Sequence, residues 1–439
     1  MKKRILAIFL ALVCMLPLMM PMAADDTEAA EEGILEPPEI VNVGSAIVYN
    51  LENDRYIYEY NADKVIYPAS TVKLMTAIVA LDLLDGDLGR ELTVPGGALV
   101  GLRGNNIALK RGEVMTAEQL LYALLCGCAN DAANVLAFTL AGSVEEFVEL
   151  MNRKAKELGA LETHYVNPTG MHDPDMVTTA RDTAIIATHA LNTAPIADMS
   201  SVEKYYFPPT NKAGDRTLFN KNHFYSTVTE YLYIWNIPRG LNAGYTEEGG
   251  YCLATTVTRD GLTYVVVTMG ATRDERYIYS YTEAAKLIKW ALYAYEYTQV
   301  LTTSDMICEI PVKLSSKVDY VTLFPSEKIE LFLPSGLDIK RDIAIEWTVT
   351  KDYFTAPVSE GEVGGKLTVS YNGVTLGTYD LVTRNGVNRD NILYILDLIG
   401  GLTETRGFKI LATLAIAAFV AYIAVLVFVT VMSRKRRRK

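Results

Sequence analysis

Ser70 and Lys73 stand three residues apart in YPASTVKLMTAIVAL, Tyr67 to Leu81, where an apolar helical run begins. On a helix that spacing puts both side chains on one face, one turn apart. A hydroxyl beside a neutral amine is a nucleophile beside its base. Two plainer readings stand next to it: Ser70 as an N-cap, and Lys73 as a solvated face residue. The pattern S-x-x-K is too short to decide, and Ser201 with Lys204 repeats it without supporting context. Other candidate chemistry is weaker. His164, His172, His189 and His223 have no ligand spacing, and Cys126 with Cys128 fits no zinc pattern, so no metal or cofactor is expected. The four cysteines outside the N-terminal apolar run, Cys126, Cys128, Cys252 and Cys308, are not evidently paired. Asn167-Pro168-Thr169-Gly170 reads first as a turn.

The elements that would hold Ser70 and Lys73 follow from pattern. Gly44 to Asn50 and Arg55 to Tyr60 are strand-like around a turn at Asn53-Asp54. Ser70 opens an apolar helix that ends near Asp85-Gly86. Thr116 with Gln119 makes a capping box before Leu120 to Leu125, Ser143 with Glu146 opens a helix up to Gly159, and Thr179 to Leu191 is helical. Two strands, Tyr251 to Val257 and Thr263 to Met269, meet at Asp260-Gly261, a strong hairpin dipeptide. A helix is expected from about Tyr281 to Tyr297. Strands at both ends with helices between them imply an α/β domain whose antiparallel sheet is built from both termini. From Asp305 to about Leu381 the pattern changes to short alternating strands, with Asn372-Gly373 marking a hairpin, so a separate small all-β domain is expected.

The chain ends say where the protein works. Met1-Lys2-Lys3-Arg4, an apolar run from Ile5 to Met20, and Pro21-Met22-Ala23-Ala24 form a secretory signal peptide over residues 1–24. An acidic flexible lead-in occupies 25–40. The two folded domains are expected at 41–300 and 301–390, and a linker at 391–409. Residues 410–432 carry no charge, long enough for one transmembrane helix, and the basic residues of 433–439 form a cytoplasmic tail. The body is therefore expected outside the cell, held at the membrane by one C-terminal helix. The whole chain has a net charge of −11. Setting aside three basic residues of the leader and six of the tail leaves a body of about −20, so no nucleic-acid partner is expected. Oligomeric state is not written in the sequence.

With a candidate pair at a helix start, the segments LLYALLCGCANDAANVLA, VELMNRKAKELGALETHYVNPTGMHDP and GLNAGYTEEGGYCLATTVTRDG follow in order. Together with PASTVKLMTAIVAL they closely resemble the secreted serine D-alanyl-D-alanine carboxypeptidases, the S11 class of low-molecular-weight penicillin-binding proteins. The resemblance runs from about Val43 to Gly270, and FTAPVSEGEVGGKLTV resembles their C-terminal β domain. It implies a penicillin-recognising fold and a signature of three pieces: S-x-x-K, S-x-N and K-T-G. Carried over, Ser70 is the nucleophile, Lys73 its base, and Asn130 the asparagine that bonds the substrate amide and the lysine; a helix cap before Asp131 is the plainer reading of Asn130. Backbone N–H groups of Ser70 and Tyr245 would form the oxyanion hole.

This chain departs from that signature in two places. Cys128 replaces the serine of the second motif, and the third reads Asn242-Ala243-Gly244, without the lysine and threonine that bind the substrate's terminal carboxylate. Lys212-Ala213-Gly214 is a rival third motif, rejected because Asp215-Arg216 follows it rather than a strand and hairpin. Arg239 could supply charge, yet strand alternation over three residues points it away from Asn242. The E-x-x-L-N segment of class A β-lactamases is absent, so fast release of penicillin is not expected. The resemblance implies trimming of the terminal D-alanine from peptidoglycan stem peptides through a Ser70 acyl-enzyme, with β-lactams as further ligands. The alternative is a catalytically weak member that binds peptidoglycan or positions other wall proteins.

Overall fold

The computed structural model describes residues 34–225 and 238–436. The signal peptide, most of the lead-in and the last residues of the basic tail lie outside that range. The chain divides into two compact units at Tyr295/Glu296, with Pro334–Gly336 counted with the first.

The first unit is built on a five-stranded sheet. Its strands are β1 (Ser45–Asn50), β2 (Arg55–Tyr60), β3 (Pro238–Thr246), β4 (Gly250–Arg259) and β5 (Leu262–Ala271). Their order is β2-β1-β5-β4-β3, antiparallel throughout, so both ends of the unit's sequence meet in one sheet. The β4–β5 hairpin turns at Asp260-Gly261 with φ of 52° and 80°, the left-handed pair that a two-residue turn requires. Helices cover both faces. Thr268 Oγ1 donates to Ser280 O, at the start of a helix over Tyr279–Ala294, at 2.8 Å. The next residue on β5, Met269, points the opposite way, and Thr183 Oγ1 of the Ala180–Asn192 helix donates to its sulfur at 3.4 Å. Period-two alternation thus gives each face its own helix.

On the Met269 side lies the main core. The helix Val72–Leu84 runs through it and, apart from Lys73, Thr76 and Asp82, is apolar on every face, the pattern of a helix enclosed by others. The helices Ala117–Leu125, Asn130–Ala141 and Val144–Leu158 surround it. Local signals set their starts. Thr116 and Gln119 make the reciprocal capping box, and Ser143 and Thr179 cap their helices by accepting from the N–H groups of Glu146 and Asp182.

The expected helix to Tyr297 stops at Ala294. Tyr295–Leu301, rich in aromatic and β-branched residues, forms a strand instead and pairs with Ile329–Pro334. The second unit continues with a six-stranded sheet in the order Ile343–Val349, Val363–Tyr371, Val374–Thr383, Tyr320–Pro325, Cys308–Lys313, Phe354–Thr355. Leu323, Leu333, Leu367, Val369 and Leu381 fill its separate core. Asn372-Gly373 turns the hairpin with φ of 48° and 77°. The expected linker is in part helical, over Asn391–Glu404, and a helix over Arg406–Arg436 follows that is long and apolar enough to cross a membrane.

Candidate active site

Ser70 sits in a 3-10 turn, Ala69–Thr71, that runs directly into the helix Val72–Leu84. It caps nothing, since neither segment has a side-chain cap. Instead its Oγ accepts a hydrogen bond from Lys73 Nζ at 3.1 Å. Lys73 is fully buried, which removes the solvated-face reading. Burial lowers its pKa from 10.5 to about 8, opposed by the nearby Cys128 thiol. At neutral pH roughly a tenth of Lys73 is therefore the free amine, against under a thousandth for an ordinary lysine. Ser201 and Lys204 do nothing comparable. Ser201 Oγ donates to Ala197 O at 2.7 Å, and Lys204 is exposed at the start of a strand.

The lysine's second partner comes from the Asn167–Gly170 turn, whose role the sequence did not signal. Asn167 Oδ1 accepts from Thr169 N at 3.1 Å, Thr169 Oγ1 at 2.7 Å and Gly170 N at 2.9 Å. That side chain folds the turn so that Thr169 O accepts from Lys73 Nζ, and Pro168 O accepts from Thr76 Oγ1 at 2.7 Å, one helical turn on. Gly170 has φ of +79°, and a Cβ there would lie 2.1 Å from Ala69 O. Asparagine and glycine are thus needed for different reasons in one four-residue segment.

Cys128 and Asn130 flank the start of the helix Asn130–Ala141. The N-cap is Ala129, without a side-chain cap bond, so Asn130 is no cap. Its Nδ2 donates to Arg103 O at 2.7 Å, while its buried Oδ1 has no partner among the described residues. Cys128 adopts φ of 50°, rare for a residue with a side chain. Its Sγ donates to Ala243 O at 3.4 Å and to Asn242 Oδ1 at 3.6 Å. Burial raises the thiol's pKa, opposed by the charges of Lys73 and Lys221, so it stays protonated near neutrality.

The third segment, Asn242-Ala243-Gly244-Tyr245, lies on β3 and crosses directly over the nucleophile. A Cβ on Gly244 would fall 2.4 Å from Ser70 N and 2.5 Å from Ser70 Cβ, so only glycine allows this approach. Asn242 is buried, and its Nδ2 has no partner among the described residues. Tyr245 is 55% exposed and its ring lies 4.4 Å from that of Tyr251. Arg239, three residues before Asn242, does not follow simple alternation. Arg239 opposes Thr256 and Asn242 opposes Ala254, so three steps on β3 match two on β4. That irregularity cancels the change of face. Arg239 is exposed and still does not line the cleft.

All eight residues singled out above converge. Ser70, Cys128, Asn130, Ala243, Gly244 and Tyr245 line one cleft of about 540 Å³, Lys73 lies buried beneath Ser70, and Asn242 lies buried behind Cys128. Lys212-Ala213-Gly214 does not join them. It forms the turn between the strands Lys204–Phe207 and Arg216–Phe219. No group of three or more His, Cys, Asp or Glu able to hold a metal occurs among the described residues. One further wall was not read from sequence. Thr217 to Lys221, with His223, closes the side of the cleft next to Cys128, and Arg216 anchors that ribbon through an ion pair with buried Glu113.

The family model described as D-alanyl-D-alanine carboxypeptidase matches residues 32–273. The chain belongs to that family. A second model, the C-terminal domain of penicillin-binding protein 5, matches residues 295–389. Among curated relatives, the chain is similar to D-alanyl-D-alanine carboxypeptidase DacF of Bacillus subtilis, 27% identical over 360 residues, covering 80% of this chain and 87% of the relative. It is also 30% identical over 246 residues to D-alanyl-D-alanine carboxypeptidase DacB2 of Mycobacterium tuberculosis, covering 56% of this chain and 80% of that one. Among solved structures, penicillin-binding protein 5 from Haemophilus influenzae superposes with a TM-score of 0.58 at 24% identity, over 81% of this chain and 99% of that one, and so shares the fold. Ser70, Lys73, Cys128, Asn130 and Asn242 to Tyr245 all fall inside the span that the family model matches.

Proposed function

We propose that this chain is a serine D-alanyl-D-alanine carboxypeptidase that removes the terminal D-alanine from peptidoglycan stem peptides, working on the outer face of the membrane that its C-terminal helix spans. The observation that carries the reading is a buried Lys73, its pKa lowered to about 8, hydrogen-bonded to Ser70 Oγ at 3.1 Å. Ser70 Oγ adds to the carbonyl carbon of the penultimate D-alanine while its proton passes to Lys73 Nζ. The carbonyl electron pair moves to oxygen, and the N–H groups of Ser70 and Tyr245 hold that oxyanion. When the carbonyl re-forms, the C–N bond breaks and the departing amine takes a proton from the Lys73 ammonium, with the Cys128 thiol as relay. Water then adds to the ester, gives its proton to Lys73, and the Ser70 oxygen leaves and recovers it.

Because a thiol is a weak donor and Asn242-Ala243 lacks a cation, turnover is expected to be slow, and β-lactam capture likewise. Fluorescent penicillin should label the purified ectodomain slowly and persistently, with the adduct on the peptide that contains Ser70 and none in Ser70→Ala. Folded protein that forms no Ser70 adduct after long exposure at high β-lactam concentration would sink the enzyme reading in favour of a peptidoglycan-binding protein.

A further inference from the structure

The third motif of this chain has lost its lysine, and nothing nearby on β3 restores the charge. From Asn242 to Gly249 the only ionisable side chains besides Tyr245 are Glu247 and Glu248, both exposed. A carboxylate leaving water needs a charged, well-placed donor in exchange. Asn242 offers an amide but no charge, and at 1% exposure it is a poor place for an unpaired ammonium. The replacement must come from another element.

Among the described residues that line the cleft, Lys221 carries the one ammonium. Its backbone is fixed on both sides while its side chain stays exposed. Lys221 N donates to Cys126 O at 2.9 Å, two residues before the second-motif thiol. Asn220, 2% exposed, donates through Nδ2 to Ser200 O at 2.9 Å and Val202 O at 2.7 Å, and accepts from Asn222 N at 2.8 Å. Asn222, 3% exposed, reaches Gly240 O on β3 at 3.4 Å and accepts from Phe224 N at 3.1 Å. Two buried asparagines thus brace a projecting lysine between them. Burial raises the Cys128 thiol and lowers His223, and the Lys221 charge opposes the first shift and adds to the second, as fits a cation lining the same cleft. Cys128 in turn touches Asn242 and Ala243. Lys221 thus lines the same cleft as Ser70, Cys128 and the third-motif residues Ala243 and Gly244.

We infer that Lys221 is the specificity-determining cation of this site, clamping the substrate's terminal carboxylate in place of the lysine missing at Asn242. This rests on the carboxypeptidase reading above. The alternatives fail on placement, since Arg239 does not line the cleft and Lys212 sits in the ribbon turn.

The test compares one D-Ala-D-Ala peptide as the free acid and as its C-terminal amide, reading kcat/KM for each. The wild-type protein should favour the acid. Lys221→Met should lower the acid-to-amide ratio by about 10- to 100-fold, the range for losing one charged hydrogen bond, chiefly through KM. Lys221→Arg should keep most of the preference. A ratio unchanged in Lys221→Met, or an equal fall on both substrates, overturns the assignment while leaving the Ser70 mechanism standing. Wild-type protein that is never acylated at Ser70, by peptide or by penicillin, overturns both.

Discussion

At the scale of single residues, the chemistry rests on one unfavourable burial. An ammonium enclosed by protein loses its hydration, so Lys73 gives up its proton more readily than a surface lysine. A base must be deprotonated to act, so lowering its pKa raises the competent fraction near neutrality. With Lys73 at about 8, the penicillin acylation rate should climb roughly tenfold per unit below pH 7, gain about tenfold in all between pH 7 and pH 9, and then level. A stopped pH series on the ectodomain checks this. A rate still rising tenfold per unit between pH 9 and pH 10 would mean that Lys73 titrates like an exposed lysine and that the burial argument fails. The pair itself was legible, because S-x-x-K is local and a helix start is readable from Pro68 and the apolar run after it. The second acceptor for Lys73 was not. Thr169 O is a backbone carbonyl 96 residues away, and a carbonyl leaves no mark in the sequence.

At the scale of elements, the site is held where three segments are forced against one turn: the helix from Val72, the Asn167–Gly170 turn, and β3. Sequence pattern located helices and hairpins well where local chemistry fixes them, as at Thr116–Gln119 and Asp260-Gly261. It missed the irregularity between Arg239 and Asn242, because alternation assumes an unbroken ladder. It also missed the Lys204–Phe219 ribbon, whose strands of four residues each are held from outside by Glu113, the ion-pair partner of the ribbon's own Arg216. The Asn167 turn gives a test at this scale. Asn167→Ala removes the acceptor for three donors, two of them backbone N–H groups that hold the turn's shape. Losing such bonds costs about 1–3 kcal/mol when a buried group is left unpaired. Asn167→Ala should therefore lower the unfolding midpoint by several degrees and slow acylation by more than tenfold, since the Thr169 carbonyl no longer fixes Lys73. Asn167→Asp, which keeps an acceptor at Oδ1, should recover part of both. A variant that unfolds earlier yet acylates at the wild-type rate would separate the turn from the chemistry.

At the scale of the whole molecule, the sequence separates two folded units and ends them on apolar helices. The Asn391–Glu404 helix leaves Ile392, Ile395, Leu396, Ile399 and Leu402 exposed, and the Arg406–Arg436 helix that follows has no buried surface in its apolar window. A stretch of about 20 apolar residues is stable in water only if covered, and here a bilayer is the cover that matches its length. Arg434 to Lys439 are all basic, and basic clusters beside a span are retained on the cytoplasmic side. In the proposed orientation the strongly acidic body lies on the opposite side, where a Ser70 site acting on wall peptides would meet its substrate. Protease added outside intact spheroplasts should digest both folded units and leave a small membrane-bound fragment containing the Arg406–Arg436 helix. Disrupting the membrane first should expose the basic tail as well. A body that resists protease until the membrane is broken would put Ser70 on the cytoplasmic side, and with it the proposed substrate out of reach.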